Sequence, residues 1–396
     1  MAISCAAALL LPAVCLADAA LEGTNPAQWR LIWKTDPSTE ATVSWSTAEA
    51  GEQHRVYVKG ESDEMHRMVE AHRNGQYTTD GEDIELHYHH VKLSDLKPAM
   101  RYRVVIESDE TRSPEMYFLT APDRDVPMKI LFGGDSRSDQ RARRQVNQLM
   151  ARLMDQRPAI LAVAHGGDYI VDGRKLSQWS DWMSDHELTV GRDSRLLPII
   201  PTRGNHDGGP LYNEIFDFPP DDKNYFALNL GPQIRLITLN TETSTGGDQA
   251  QWLENELQTS RPENRWLLAQ YHRPAYPAVK EPGTALQHWV PLFEEYNLDM
   301  ACEADGHNIK RTPPIRDNKV DPTGVTYIGE GGFGVKQRNP DMSRWFLQPP
   351  GKAGVGHHVQ LLEFYPDRLE YRVILLNGRV FDEHVLPVRT EIAAGR

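Results

Sequence analysis

Met128-Lys129-Ile130-Leu131-Phe132-Gly133-Gly134-Asp135-Ser136-Arg137 reads as a buried β-strand running straight into a glycine turn that carries a carboxylate. A short apolar run closed by glycines is the pattern of a strand covered on both faces, as in α/β sheets. The chain downstream keeps that rhythm. Arg141 to Arg152 has helical periodicity, and Asp248 to Leu257 has it again. Ala159 to Ala164, Leu197 to Ile200, Ile234 to Leu239, Trp266 to Ala269 and Leu298 to Ala301 read as strands. Strands alternating with helices define an α/β unit, expected over residues 127–390. His358 to Phe364 and Leu369 to Leu376 add antiparallel strands to it.

Upstream the rhythm changes. Trp29 to Trp33, Ala41 to Trp45, Arg55 to Val58, Tyr88 to Leu93, Arg101 to Ile106 and Met116 to Leu119 are short strands separated by turn formers such as Asp36-Pro37-Ser38. That pattern predicts a β-sandwich over residues 25–122. Leu93-Ser94-Asp95-Leu96-Lys97-Pro98, followed by Tyr102, resembles the corner region of fibronectin type III-like domains. Its tryptophans read as core, and nothing catalytic is evident there.

The whole chain has 396 residues and a formal net charge of −13. An acidic chain argues against general nucleic-acid binding, which needs basic surface to neutralise phosphates. The only long apolar run, Ala6 to Ala17, is too short to span a bilayer and is followed by Ala17-Asp18-Ala19. It reads as a secretory signal peptide over residues 1–19, although a basic n-region is missing. A lipoprotein site at Cys15 fits Pro12 and Val14 badly, and no membrane span is expected. The expected location is therefore periplasmic or secreted. Removal of Cys5 and Cys15 would leave Cys302 alone, so the mature chain could form no internal disulfide.

The chemistry concentrates at strand ends. Gly134-Asp135-Ser136-Arg137 follows the first strand of the α/β unit, and Gly167-Asp168-Tyr169 the second. Gly204-Asn205-His206-Asp207, Tyr271-His272-Arg273-Pro274 and Glu303-Ala304-Asp305-Gly306-His307 close three later strands. Ligands in open α/β sheets sit outside the carboxyl ends of the strands, so these turns can converge. Taken singly, a Gly-Asp turn or a lone histidine is ordinary structure. Five in order are not easily coincidental, and carboxylate, amide and imidazole together suit Fe, Mn or Zn.

This set of blocks resembles the calcineurin-like metallophosphoesterases and, within them, the purple acid phosphatases. The resemblance covers nearly all of the mature chain, because that family also carries a fibronectin-like domain first. It implies a four-layer α/β/β/α domain, two facing sheets flanked by helices around two divalent or trivalent metal ions. By that resemblance Asp135 and His307 would bind the first metal and Asp168 would bridge. Asn205, His272 and Asp305 would bind the second. His206, helped by Asp207, would protonate the leaving group, and Arg137 would clamp the phosphate or lie on a basic surface helix with Arg141, Arg143 and Arg144.

The sequence departs from the family's pattern at three positions. Val171 stands where the family has its iron-binding tyrosine, so no purple charge-transfer band is expected. Arg137 stands where other metallophosphoesterases carry a histidine, and Asp305 replaces the first histidine of the last block. An alternative register sets His307 on that first histidine and Ile309 on the second, leaving Asp305 behind the ligands. His165, His288 and Tyr169 have structural readings, and Asn240 or Glu242 is expected near the site. The resulting expectation is an exported phosphomonoesterase acting on a small phosphate ester. A phosphodiesterase of the same chemistry and a degenerate ligand-binding protein are the alternatives.

Overall fold

The computed structural model describes residues 21–389, so the expected signal peptide, with Cys5 and Cys15, lies outside the described residues. Two sheets form the N-terminal sandwich. One contains Ala27–Ile32, Ala41–Thr47, His87–Leu93 and Arg73–Gln76; the other contains Arg67–Glu70, His54–Gly60, Arg101–Ser108, Thr111–Arg112 and Met116–Leu119. Trp29, Leu31, Val43, Trp45, Val91 and Leu93 of the first meet Val56, Val58, Val104, Ile106, Met116 and Phe118 of the second in one core. Along His54–Gly60 burial alternates residue by residue, as a period-2 strand with one wet face requires. At the corner, the Tyr102 hydroxyl accepts the Lys97 N–H at 2.6 Å.

Met128–Gly133 is the central strand of the second unit, parallel to Ile160–His165 and antiparallel to His358–Phe364. Ile199–Pro201 extends this sheet beyond Ile160–His165, and Arg368–Leu375 and Val380–Pro387 extend it on the other side. A second sheet of seven strands runs from Phe226–Asn229 through Ile234–Thr238, Trp266–Tyr271, Met300–Glu303, Thr326–Gly329 and Ile309–Arg311 to Lys352–Gly354.

The side-chain alternation of these strands builds the layers. Ile130, Phe132, Ala162, Ala164 and Ile200 point toward Leu236, Leu268, Met300 and Ile328 of the facing sheet. Leu131 and Val163 point the other way, into Val146, Leu149 and Leu153 of the helix Gln140–Gln156. On the far side, Ile237, Leu267 and Ala269 pack on Leu253 and Leu257 of the helix Asp248–Ser260. The result is a mixed, sheet-rich α/β fold of four layers behind an N-terminal sandwich. Cys302, the only cysteine among the described residues, is buried between the sheets, and burial pushes its thiol pKa up. It is an inert core residue.

The two units share more than a boundary. Ala27–Ile32 pairs in parallel with Ile199–Pro201, so the sandwich sheet and the α/β sheet form one sheet of ten strands. Sequence reading supplied no sign of this, since the partners lie far apart in the chain.

Candidate metal centre

Each strand-end block delivers its polar residue to the same mouth between the sheets. Asp135, Asp168, Asp305 and His307 all adopt the left-handed backbone region, with φ of 55°, 58°, 67° and 60°. Asp visits this region more readily than most residues and His is also enriched there, yet four together are unusual. They turn the chain so that side chains point back over the strand ends. Glycine makes the close packing of these turns possible. A Cβ on Gly167 would lie 2.6 Å from the Gly204 nitrogen, and one on Gly204 would lie 2.4 Å from the Asp168 carboxylate.

Asp135, Asp168, His272 and Asp305 are buried and can each offer one ligand atom within 4.8 Å of all the others. His272 donates its Nδ1 proton to the Gly166 carbonyl at 2.8 Å, which turns Nε2 toward the cluster. There Nε2 faces Asn205 Oδ1 at 3.2 Å, Asp168 Oδ1 at 3.2 Å and Asp305 Oδ1 at 3.7 Å. A nitrogen lone pair facing three oxygen acceptors is repulsive unless a cation, a proton or a metal, lies between them. Asp135 Oδ1 is buried without a hydrogen-bond partner at the same place. These residues fit a hard divalent or trivalent metal.

The electrostatics point the same way. Burial alone would depress the His272 pKa, but the Asp168, Asp135 and Asp305 carboxylates override it and hold it well above the imidazole range. Burial would raise Asp168, and His272 with the His206 N–H pulls it below the usual carboxylate range instead. Asp305 is likewise lowered against burial by His272 and by its ion pair with Lys280.

Around this cluster stand residues of opposite charge. Arg137 Nε donates to Asp168 Oδ2 at 3.2 Å and Nη2 to His307 Nε2 at 3.3 Å. Arg137 is thus turned into the cleft, not out along a basic surface helix. His307 donates Nδ1–H to the Lys336 carbonyl at 3.2 Å, and its Nε2 lies 3.2 Å from Asp135 Oδ1. Lys280 and Arg338, which no motif in the sequence singles out, bind the carboxylate and the carbonyl of Asp305 respectively. His206 sits at the rim. It donates Nδ1–H to the Val171 carbonyl at 2.6 Å, leaving Nε2 4.0 Å from Asp168 Oδ2.

Asp207 has a different position from the one expected for a proton donor. It is fully buried, with Oδ2 accepting the N–H groups of Asp168 at 2.8 Å and Gly204 at 2.7 Å, and Oδ1 that of Tyr169 at 2.9 Å. It ties two site loops together and does not reach the cleft. Tyr169 is buried and stacks on His165 with ring centroids 3.9 Å apart, so both are core. Glu242 pairs with Arg273, the neighbour of His272, at 2.8 Å, whereas Asn240 is buried and bonds the Lys223 carbonyl.

Comparison with known proteins agrees with the fold. The model for the N-terminal domain of purple acid phosphatases matches residues 26–120, and that for calcineurin-like phosphoesterases matches residues 128–308. An uncharacterized protein of Mycobacterium tuberculosis is 24% identical over 327 residues, covering 70% of this chain and 60% of its own length. The chain thus spans about 60% of that relative. Acid phosphatase type 7 of Danio rerio is 25% identical over 317 residues, covering 66% of this chain and 68% of its own. Among solved structures, a purple acid phosphatase from yellow lupin (Lupinus luteus) seeds superposes with a TM-score of 0.76 at 18% identity, covering 94% of this chain and 76% of its own. The ligand cluster at the strand ends falls within the calcineurin-like phosphoesterase match, and the sandwich before it within the purple acid phosphatase N-terminal match. The chain belongs to the calcineurin-like phosphoesterases, as a purple acid phosphatase-like member. Proteins of that family use dinuclear metal centres.

Proposed function

We propose that this protein is a metal-dependent hydrolase of small phosphomonoesters that works outside the cytoplasm. The observation that carries the reading is the convergence of Asp135, Asp168, His272 and Asp305 on one point, with His206 at the rim. Asp135, Asp168, Asn205, His272, Asp305 and His307 would hold the metals. Bound there, metal ions supply a water of lowered pKa and positive charge toward the phosphate oxygens.

The chain's own residues supply the rest. Arg137 offers a planar fork suited to two phosphate oxygens. His206 is fixed in one tautomer by the Val171 carbonyl, so its Nε2 is the atom available to exchange a proton with a leaving alkoxide. Val171 itself is partly exposed, with no phenol to colour an iron centre. Lys280 on Asp305, Arg273 on Glu242 and Arg338 on the Asp305 carbonyl set three cationic side chains beside the site of an acidic chain. Export rests on the N-terminal apolar run, and no helix among the described residues is long and apolar enough to cross a membrane.

The test is hydrolysis of p-nitrophenyl phosphate and bis(p-nitrophenyl) phosphate by metal-reconstituted wild type and Asp168→Ala. Metal-dependent release from the monoester, lost in Asp168→Ala with the far-UV spectrum unchanged, is expected. Preference for the diester would move the reading to a phosphodiesterase. No turnover of either with Mn, Fe or Zn would leave a ligand-binding protein.

A further inference from the structure

Of the three residues that the family resemblance assigns to the first metal, Asp135, Asp168 and His307, two already hold a cation, and the third, Asp135, has Oδ1 3.2 Å from His307 Nε2. Arg137 spans two of them, donating to Asp168 Oδ2 at 3.2 Å and to His307 Nε2 at 3.3 Å. The His307 ring carries its proton on Nδ1, toward the Lys336 carbonyl, so Nε2 has a single lone pair. That lone pair can accept from a guanidinium or bind a metal, but not both. The position framed by Asp168, Asn205, His272 and Asp305 differs. No guanidinium enters it, and His272 Nε2 faces only oxygens. Lys280 touches one oxygen of Asp305, and its side chain is 38% exposed, free to move to solvent, whereas that of Arg137 is 15% exposed.

We propose that the two metal positions load unequally: the Asp168–Asn205–His272–Asp305 position takes a metal tightly, and Arg137 holds the Asp135–Asp168–His307 position, which a metal enters only by displacing the guanidinium. This rests on the metallophosphoesterase reading of the site. The Arg137 side chain must leave a buried carboxylate and a histidine lone pair together. Arg137 then acts as a built-in competitor that supplies the first position with positive charge when the metal is absent. Histidine at 137 would instead add a ligand, which is why the residue type there decides the loading.

The test reads metal binding, not turnover. Metal-depleted wild type, Arg137→Ala and Arg137→His are titrated with Mn(II) or Zn(II) by calorimetry, then desalted for metal analysis. The wild type should retain one ion per chain, with a second binding about 100-fold more weakly, the scale over which residues around a metal site tune affinity. Both variants should retain two ions, and Arg137→His should bind the second more tightly than Arg137→Ala. Two equally tight ions in wild type, or one in both variants, would overturn the proposal. Wild type that binds no metal at all would overturn the metallophosphoesterase reading beneath it. Far-UV spectra of the variants exclude loss of fold, and Asp168→Ala, which should retain no ion, calibrates the zero.

Discussion

Ile32 and Ile199 sit opposite each other in parallel register, and the Trp33 N–H donates to the Ile199 carbonyl at 2.9 Å. Through this pairing a strand of the N-terminal sandwich becomes a neighbour of the strand that leads to Gly204-Asn205-His206. Ile32 and Ile199 also share one buried cluster with Leu131, Val163 and Leu211. The sandwich is therefore part of the support for the site and not an appended module.

Ile32→Ala should then weaken the whole chain. Removing a buried branched side chain from a packed cluster costs about 2–5 kcal/mol. Urea unfolding followed by near-UV and far-UV signals should show one shared transition at lower midpoint. Two separated transitions, with the α/β unit unaffected, would contradict the coupling of the units.

Asp207 gives a prediction about metal affinity. Its carboxylate accepts three backbone N–H groups, from Asp168, Tyr169 and Gly204, and so fixes the Asp168 turn. In Asp207→Asn one oxygen becomes an amide NH2 that confronts backbone donors. Metal retention should fall about 10–100-fold while far-UV signal persists. Unchanged retention would mean that the Asp168 turn needs no brace.

Much of this arrangement was legible in the sequence because it is written locally. Met128 to Phe132 is apolar and closed by glycine, and it forms the central strand Met128–Gly133. Gly-Asp and Gly-Asn-His turns carry their own conformational demand, since only glycine admits the approach of the Gly167 and Gly204 backbones. Val380–Pro387 escaped reading because Asp382-Glu383-His384 split its apolar residues and no period of two survives, as befits a strand at the edge of the sheet. The inward turn of Arg137 has no local sign either. The sequence leaves Arg137 between a phosphate clamp and a surface arginine beside Arg141, and only Asp168 and His307, from distant blocks, supply the partners that turn it inward. Lys280 and Arg338 reach Asp305 from loops without a motif, so only the tertiary fold reveals them.

Acid should destabilise the sandwich side of the molecule through buried neutral histidines. Burial pushes His90 down to about 3, against the opposing pull of Asp217. Its ring spans the Glu214 carbonyl at 2.8 Å and the Ser44 hydroxyl at 2.7 Å. Above the unfolded pKa near 6.5 neither state binds a proton there, and His90 adds no pH dependence. Below it the unfolded chain takes up a proton that the native state refuses, so stability falls as pH falls toward about 3. The slope is about 1.4 kcal/mol per pH unit for each such residue. Urea unfolding of wild type and His90→Gln between pH 7.5 and 5 should show a shallower fall in the variant. Parallel curves would mean that His90 is protonated in the folded protein.

A buried charge network behind the last block makes the sharpest stability prediction. Lys310 is fully buried between Glu303 and Glu330, and it also donates to the Tyr276 carbonyl at 2.7 Å. Burial would lower its pKa, but the two carboxylates outweigh that and raise it, so the lysine stays charged. Glu303 further accepts the Tyr271 hydroxyl at 2.6 Å and the Ala275 N–H at 2.7 Å, on either side of His272. The Glu330 carbonyl accepts the His307 N–H at 2.8 Å. One cation thus ties together the segments bearing His272 and His307. Lys310→Met would leave two buried carboxylates without a counter-charge, which costs about 3–5 kcal/mol. The variant should unfold at clearly lower urea and, where still folded, retain less metal than wild type. A Glu303→Gln, Lys310→Met double variant, with one of those charges removed, should recover part of the stability. No recovery would mean that the single variant fails through packing at the methionine and not through the stranded charges.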